Sequence, residues 1–144
     1  MKKNYYCEWL TIAPEVKEQH FTKYLDSSQL YETHLLPDVC FIEFNHGGGT
    51  YYAIIDKSSV SKVAGQKWGS RGDGYLSAGG QYLHRVILNE TRPTYYVHHK
   101  TAKFDNRAKN LQSVYYRDHS QKRSYHGTLK IDESNISGIE DLLM

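Results

Sequence analysis

Several things are scarce in this sequence of 144 residues, and each scarcity removes a class of function. Two cysteines, Cys7 and Cys40, are too few for a disulfide scaffold, and they lack the C-x-x-C spacing of a metal site. They are expected to be separate buried thiols. There is no run of about 18 apolar residues, so no membrane span is predicted. The opening "MKKNYYCEWLTIAPEVKEQH" has lysines but no apolar stretch behind them, so it does not read as a secretory signal. The expected compartment is the cytoplasm. Nothing repeats and no segment is of low complexity, which argues against solenoids and disordered tails.

What is present is an ordinary globular composition, 39% hydrophobic and 24% charged, with thirteen tyrosines. Tyrosine joins apolar bulk to a polar tip and suits wet surfaces. The net charge of +2 conceals an asymmetry. Residues 92–130 hold Arg92, Lys100, Lys103, Arg107, Lys109, Arg117, Lys122, Arg123 and Lys130 against only Asp105 and Asp118. A basic block inside a near-neutral chain suggests a local site for a polyanion, the alternative being a merely solvated face.

Length and pattern predict one α+β domain over 1–144. Residues 1–49 read as a scaffold or DNA-gripping extension. "YYCEWLTI" reads as a strand, and the run after Pro14 reads as a helix broken near Asp26. "VCFIEF" closes this part as a buried strand. Residues 50–81 read as strand-rich hairpins punctuated by Gly-Asp-Gly and Gly-Gly. Residues 82–126 read as helix, strand, polar loop, short strand and basic helix, and 127–144 as an acidic tail.

The chemistry concentrates in "VHHKTAKFDNRAKNLQSVYYRDHSQKR", residues 97–123. Phosphodiester hydrolysis requires a base for water, a cation at the phosphate and a surface that holds a polyanion. Histidine serves as either base or ligand, because its ordinary pKa is near 6.5 and its neutral ring coordinates metals. Adjacent strand residues point to opposite faces, so His98 and His99 are suited to different tasks. Asn110, at the loop end, can tie the loop through both its donor and its acceptor. Asp105 and Asn106 belong to a "FDNR" turn that makes local backbone bonds.

The triplet His99, Asn110 and His119, with "QYLHRVIL" before it and "DNR" and "NL" inside it, resembles the HNH or ββα-metal nucleases. The similarity is greatest to phage-type HNH homing endonucleases. It covers residues 82–123, with a looser "W…GY" echo at Trp68 and Gly74-Tyr75. The resemblance implies a C-terminal ββα-metal motif packed against a mixed sheet-and-helix region. It also implies His99 as general base, Asn110 as the residue holding the loop, and His98 and His119 as ligands of one divalent ion per site. His98 stands where the family usually has Asp. Mg²⁺ or Mn²⁺ is the family's expectation, while two imidazoles suit Zn²⁺, Ni²⁺ or Co²⁺.

The implied activity is metal-dependent, sequence-specific hydrolysis of double-stranded DNA in a bacterial or phage-infected cell. Either a homing-type nicking enzyme or a small dimeric restriction enzyme fits, the latter as a homodimer. Arg85, Lys100, Lys103, Arg107, Lys109, Arg117, Lys122 and Arg123 are expected phosphate contacts, and Arg71 an expected base contact on a hairpin. The non-enzymatic alternative is a DNA-binding protein on a degenerate HNH scaffold. A structural zinc module and an RNA substrate are weaker alternatives. His84 reads as a structural hydrogen-bonding residue; His20, His34 and His46 read as packing or surface residues.

Overall fold

The computed structural model describes residues 6–24, 27–118 and 125–143. Its centre is a four-stranded antiparallel sheet in the order β2 (Phe21–Lys23), β3 (Leu30–Thr33), β4 (Val39–His46) and β5 (Gly49–Asp56). The β4–β5 hairpin is the longest pairing, running from Val39↔Asp56 to His46↔Gly49. Two residues close it, Gly47 and Gly48, both at positive φ (56° and 83°). A two-residue loop needs left-handed backbone at both positions to match strand twist, which is why glycine occupies them.

The sheet is a wall between two cores, because residues 39–42 are buried in succession and so on both faces. Val39, Phe41, Tyr52 and Ile54 look one way, joined by Leu10, Val16, Ala102, Phe104, Ile131 and Ile139. Cys40, Ile42, Ala53 and Ile55 look the other way, joined by Val63, Trp68, Leu83, Ile87, Val97 and Leu111. The alternation follows the two-residue strand period, with Phe41 opposite Ile54 and Ile42 opposite Ala53. Both cysteines are buried and unpaired, as expected.

The first core is covered by β1 (Trp9–Ile12), α1 (Pro14–His20), β11 (Thr128–Ile131) and α4 (Ile139–Leu143). The second is covered by α2 (Val60–Val63), a small sheet of β6 (Gly69–Ser70), β7 (Leu76–Ala78) and β8 (Gln81–Tyr82), and α3 (Leu83–Leu88). Completing that cover is an antiparallel ribbon of β9 (Tyr95–His99) and β10 (Leu111–Tyr115).

The fold class is mixed α+β, as the sequence predicts, but three segments differ from expectation. The helix read from Pro14 ends at His20, and the chain continues as β2 and β3 because Phe21, Leu30 and Thr33 are buried in the sheet. The basic helix read over "QSVYYRDHSQKRS" is β10 through Tyr115 and then a single 3₁₀ turn at Tyr116–Asp118. The rest of it, 119–124, lies outside the described residues. The acidic segment 127–144 is no tail. Its β11 pairs in parallel with β1, and Ile131, Ile139 and Leu143 enter the first core. No helix among the described residues is long and apolar enough to cross a membrane.

Candidate functional site

The ribbon separates the histidine doublet by strand geometry. Val97, His99 and Leu111 face inward, toward α3 and the second core, whereas Tyr96, His98, Gln112 and Val114 face outward. His99 is 2% exposed and His98 is half-buried on the opposite side.

Between the two strands the loop 100–110 does not bulge into solvent. It lies along the free edge of β5, where Ile54 donates to the Phe104 carbonyl at 2.9 Å and Asn106 donates back to the Ile54 carbonyl at 2.8 Å. Ala102 and Phe104 thereby enter the first core while the strands they connect serve the second. Asn110 holds the loop as its sequence position suggests. Its Oδ1 accepts from the Thr101 N–H at 3.0 Å and the Thr101 hydroxyl at 2.8 Å, and its Nδ2 donates to the Asp105 carbonyl at 2.9 Å. A buried amide with its groups satisfied in this way fixes the loop's path.

Asn106 sets the state of His99. The Asn106 Nδ2 donates to the Phe104 carbonyl at 3.1 Å, so its Oδ1 is the atom 3.0 Å from His99 Nε2. Oδ1 can only accept; His99 therefore carries its proton on Nε2 and keeps its lone pair on Nδ1. The Tyr125 hydroxyl donates to the His99 carbonyl at 2.9 Å.

Around the His99 ring stand His84 from α3, at 5.1 Å between ring centroids, and Tyr75 from the β6–β7 loop, at 5.7 Å. Tyr75 also lies 5.1 Å from His84, and Tyr82, 38% exposed, closes the group 5.3 Å from His84. Lys103 borders the cluster with its ammonium 4.5 Å from the Tyr75 ring, donating to the Asp73 carbonyl and paired with Glu8 at 3.3 Å. Burial pushes the His84 pKa down to about 3, helped by the neighbouring His99 and Arg85. Burial likewise takes His99 down to about 4, opposed by the hydrogen bond it donates to Asn106 and aided by His98 and Lys103. Both rings are neutral at neutral pH.

The expected phosphate contacts divide in two. Arg71, Lys100, Lys109 and Arg117 are exposed. Arg85 instead braces the ribbon, donating to the Tyr95 carbonyl at 2.6 Å and the Arg92 carbonyl at 2.9 Å. Arg107 is buried, paired with Asp105 at 2.8 Å and donating to the Leu143 carbonyl. Lys103 is buried as described. These three are structural in this fold because neighbouring carbonyls and carboxylates take up their donors. His119, Lys122 and Arg123 lie outside the described residues. Among the described residues no three His, Cys, Asp or Glu side chains gather as a metal site.

Sequence reasoning singled out His99 and Asn110 but gave Asn106 only a turn-forming role and left Tyr75 unassigned. The "DNR" signature was the available signal for Asn106 and the looser "GY" echo for Tyr75; nothing local marked Glu8. Compared with protein-family models, with curated proteins and with solved structures, the chain matches none.

Proposed function

We propose that this protein is an HNH-type endonuclease that hydrolyses phosphodiester bonds in double-stranded DNA, with His99 as the general base. The observation that supports it best is the His99–Asn106 pair, a neutral imidazole whose proton is held on Nε2 at the mouth of a loop pinned by Asn110. A base of this kind has its lone pair committed to one nitrogen before substrate arrives. His99 Nδ1 takes a proton from water as the water oxygen forms its bond to phosphorus. The opposite P–O bond then breaks, leaving a 5′-phosphate and, once protonated, a 3′-hydroxyl. Exposed Lys100, Lys109 and Arg117 hold the phosphate backbone, and Arg71 reaches a base edge.

A divalent ion belongs to this reading, supplying charge stabilisation at the phosphate. His98 and His119 are its proposed ligands. The described residues do not by themselves form such a site, since His98 lies on the outer face of the ribbon, the side opposite His99. A single site nicks; a homodimer would cut both strands, as a small restriction enzyme does.

The 2% exposure of His99 favours a second reading, a DNA-binding protein on a degenerate HNH scaffold. One experiment separates them. Supercoiled plasmid is incubated with the protein in Mg²⁺, Mn²⁺, Ni²⁺ or chelator, beside His99→Ala. Nicked or linear products that vanish with chelator and with the variant support the nuclease. Intact plasmid in every metal, with DNA still bound, supports the scaffold reading.

A further inference from the structure

The outward face of the β9–β10 ribbon has a composition unlike the rest of the surface. Tyr96 lies opposite Val114, and His98 opposite Gln112. Tyr96 is 49% exposed and Tyr116, just beyond β10, is 44% exposed; with Tyr82 they are the large hydrophobic side chains exposed among the described residues. Cations border them. Lys100 extends β9 by donating its N–H to the Asn110 carbonyl and is exposed. Arg117 places its guanidinium 5.8 Å from the Tyr116 ring and its Nε 3.2 Å from the Tyr116 hydroxyl. Asp118 is exposed beside Arg117 and Glu90 is paired with Arg92 at 2.7 Å, whereas Lys109 lines a cavity with Asp38, Asp56 and Glu140 on another side of the loop.

We propose that this face binds single-stranded DNA, with unpaired bases stacked on Tyr96 and Tyr116 and phosphates held by Lys100 and Arg117. Exposed tyrosine rings flanked by cations are complementary to a strand that alternates flat bases with anionic phosphates. Paired bases keep their faces inside the duplex, so a duplex would engage the cations and leave the rings unused. Val114, the face's one aliphatic side chain, is half-buried, so the exposed apolar surface here is aromatic. Lys100 and Arg117 are shared with the proposed duplex contacts, but the rings lie on the side of the ribbon opposite the His99 side chain, and binding there does not depend on hydrolysis.

The test is fluorescence anisotropy in chelator, which stops any cleavage, with a labelled strand of about 15 thymidines and a duplex of the same length. The single strand is expected to bind at least about tenfold more tightly than the duplex. Tyr96→Ala and Tyr116→Ala should each weaken single-strand binding by roughly tenfold and leave duplex binding unchanged, while Tyr96→Phe binds as the parent does. Unchanged thermal melts would show that the variants fold. Equal affinity for duplex, or single-strand affinity indifferent to both alanine variants, would overturn the proposal. Tighter binding of the matching uridine strand would overturn the assignment to DNA. Because no cleavage is read, failure here leaves the plasmid result standing, and failure of the plasmid assay leaves this one standing.

Discussion

His99 Nε2 and Asn106 Oδ1 lie 3.0 Å apart in the interior, seven residues apart in sequence, and the second fixes the tautomer of the first. The Asn106 amide cannot rotate to offer its NH₂ without giving up the Phe104 carbonyl. Long-range ¹⁵N NMR should therefore find the proton on Nε2 of His99; a proton on Nδ1 would refute the assignment. Asn106→Ala leaves the buried Nε2–H without its acceptor and should cost about 1–3 kcal/mol. Where plasmid cleavage is observed, the same variant should lower its rate through loss of ring orientation.

Acid should destabilise the protein well before its carboxylates titrate. Unfolded, His84 and His99 take up protons below an ordinary pKa of 6.5; folded, they do so only near 3 and 4. The unfolded chain thus binds more protons within that window. The contribution is complete above pH 6.5 and is lost as pH falls toward 4 for His99 and toward 3 for His84, by roughly 1.4 kcal/mol per pH unit per ring. Urea midpoints measured in chelator at about pH 7.5 and about pH 5 should differ accordingly. His84→Phe, which keeps a ring in the aromatic group, should flatten the slope by about one proton. A midpoint unmoved between the two pH values would contradict the neutral buried pair.

What the sequence revealed depended on how local the cause was. β4 was legible because the apolar run "VCFIEF" reads as a buried strand, and α3 because Leu83 and Ile87 recur at helical spacing. The strand that follows α1 was hidden. Val16, His20, Phe21 and Tyr24 recur at three- and four-residue spacing and so read as helix, and only the pairing of Phe21–Lys23 with β3 makes the chain a strand there. The basic block misled for another reason. Charge counts cannot tell an exposed Lys100 from an Arg107 whose partners are two and thirty-six residues away. The motif singled out His99, but its burial against Tyr75 and His84 arises from three separate elements meeting.

Arg107 supplies the sharpest contrast with a phosphate contact. Its Nε and Nη2 both reach the Asp105 carboxylate, at 2.9 and 2.8 Å, and that pair anchors the loop against the end of α4. Arg107→Ala strands a buried carboxylate and should cost about 3–5 kcal/mol. Chemical denaturation is the readout. An exposed phosphate contact would behave in the opposite way, with stability untouched and the salt dependence of DNA binding reduced, and that result would return Arg107 to the DNA interface. Lys109→Ala, at an exposed position two residues on, is the matched control and should leave stability within about 0.5 kcal/mol.

Gly74 joins the β6–β7 loop to the site and should not tolerate a side chain. Its φ of +82° is left-handed, and a Cβ would sit 2.7 Å from Lys103 Cδ and 3.3 Å from Glu8 Cγ. Gly74→Ala therefore carries backbone strain of roughly 1–2 kcal/mol and must also displace a lysine held by the Asp73 carbonyl, Glu8 and the Tyr75 ring. To clear a Cβ, Lys103 must draw its ammonium away from the Asp73 carbonyl, Glu8 and the Tyr75 ring, the contacts that tie the loop presenting Asn106 to the β6–β7 loop. The expected result is a stability loss beyond the strain alone, together with faster amide exchange at Asn106. Gly79→Ala has similar strain (φ +56°) but meets open space, so it isolates the backbone cost. Equal losses in the two variants would mean that Lys103 yields freely and does not support the loop.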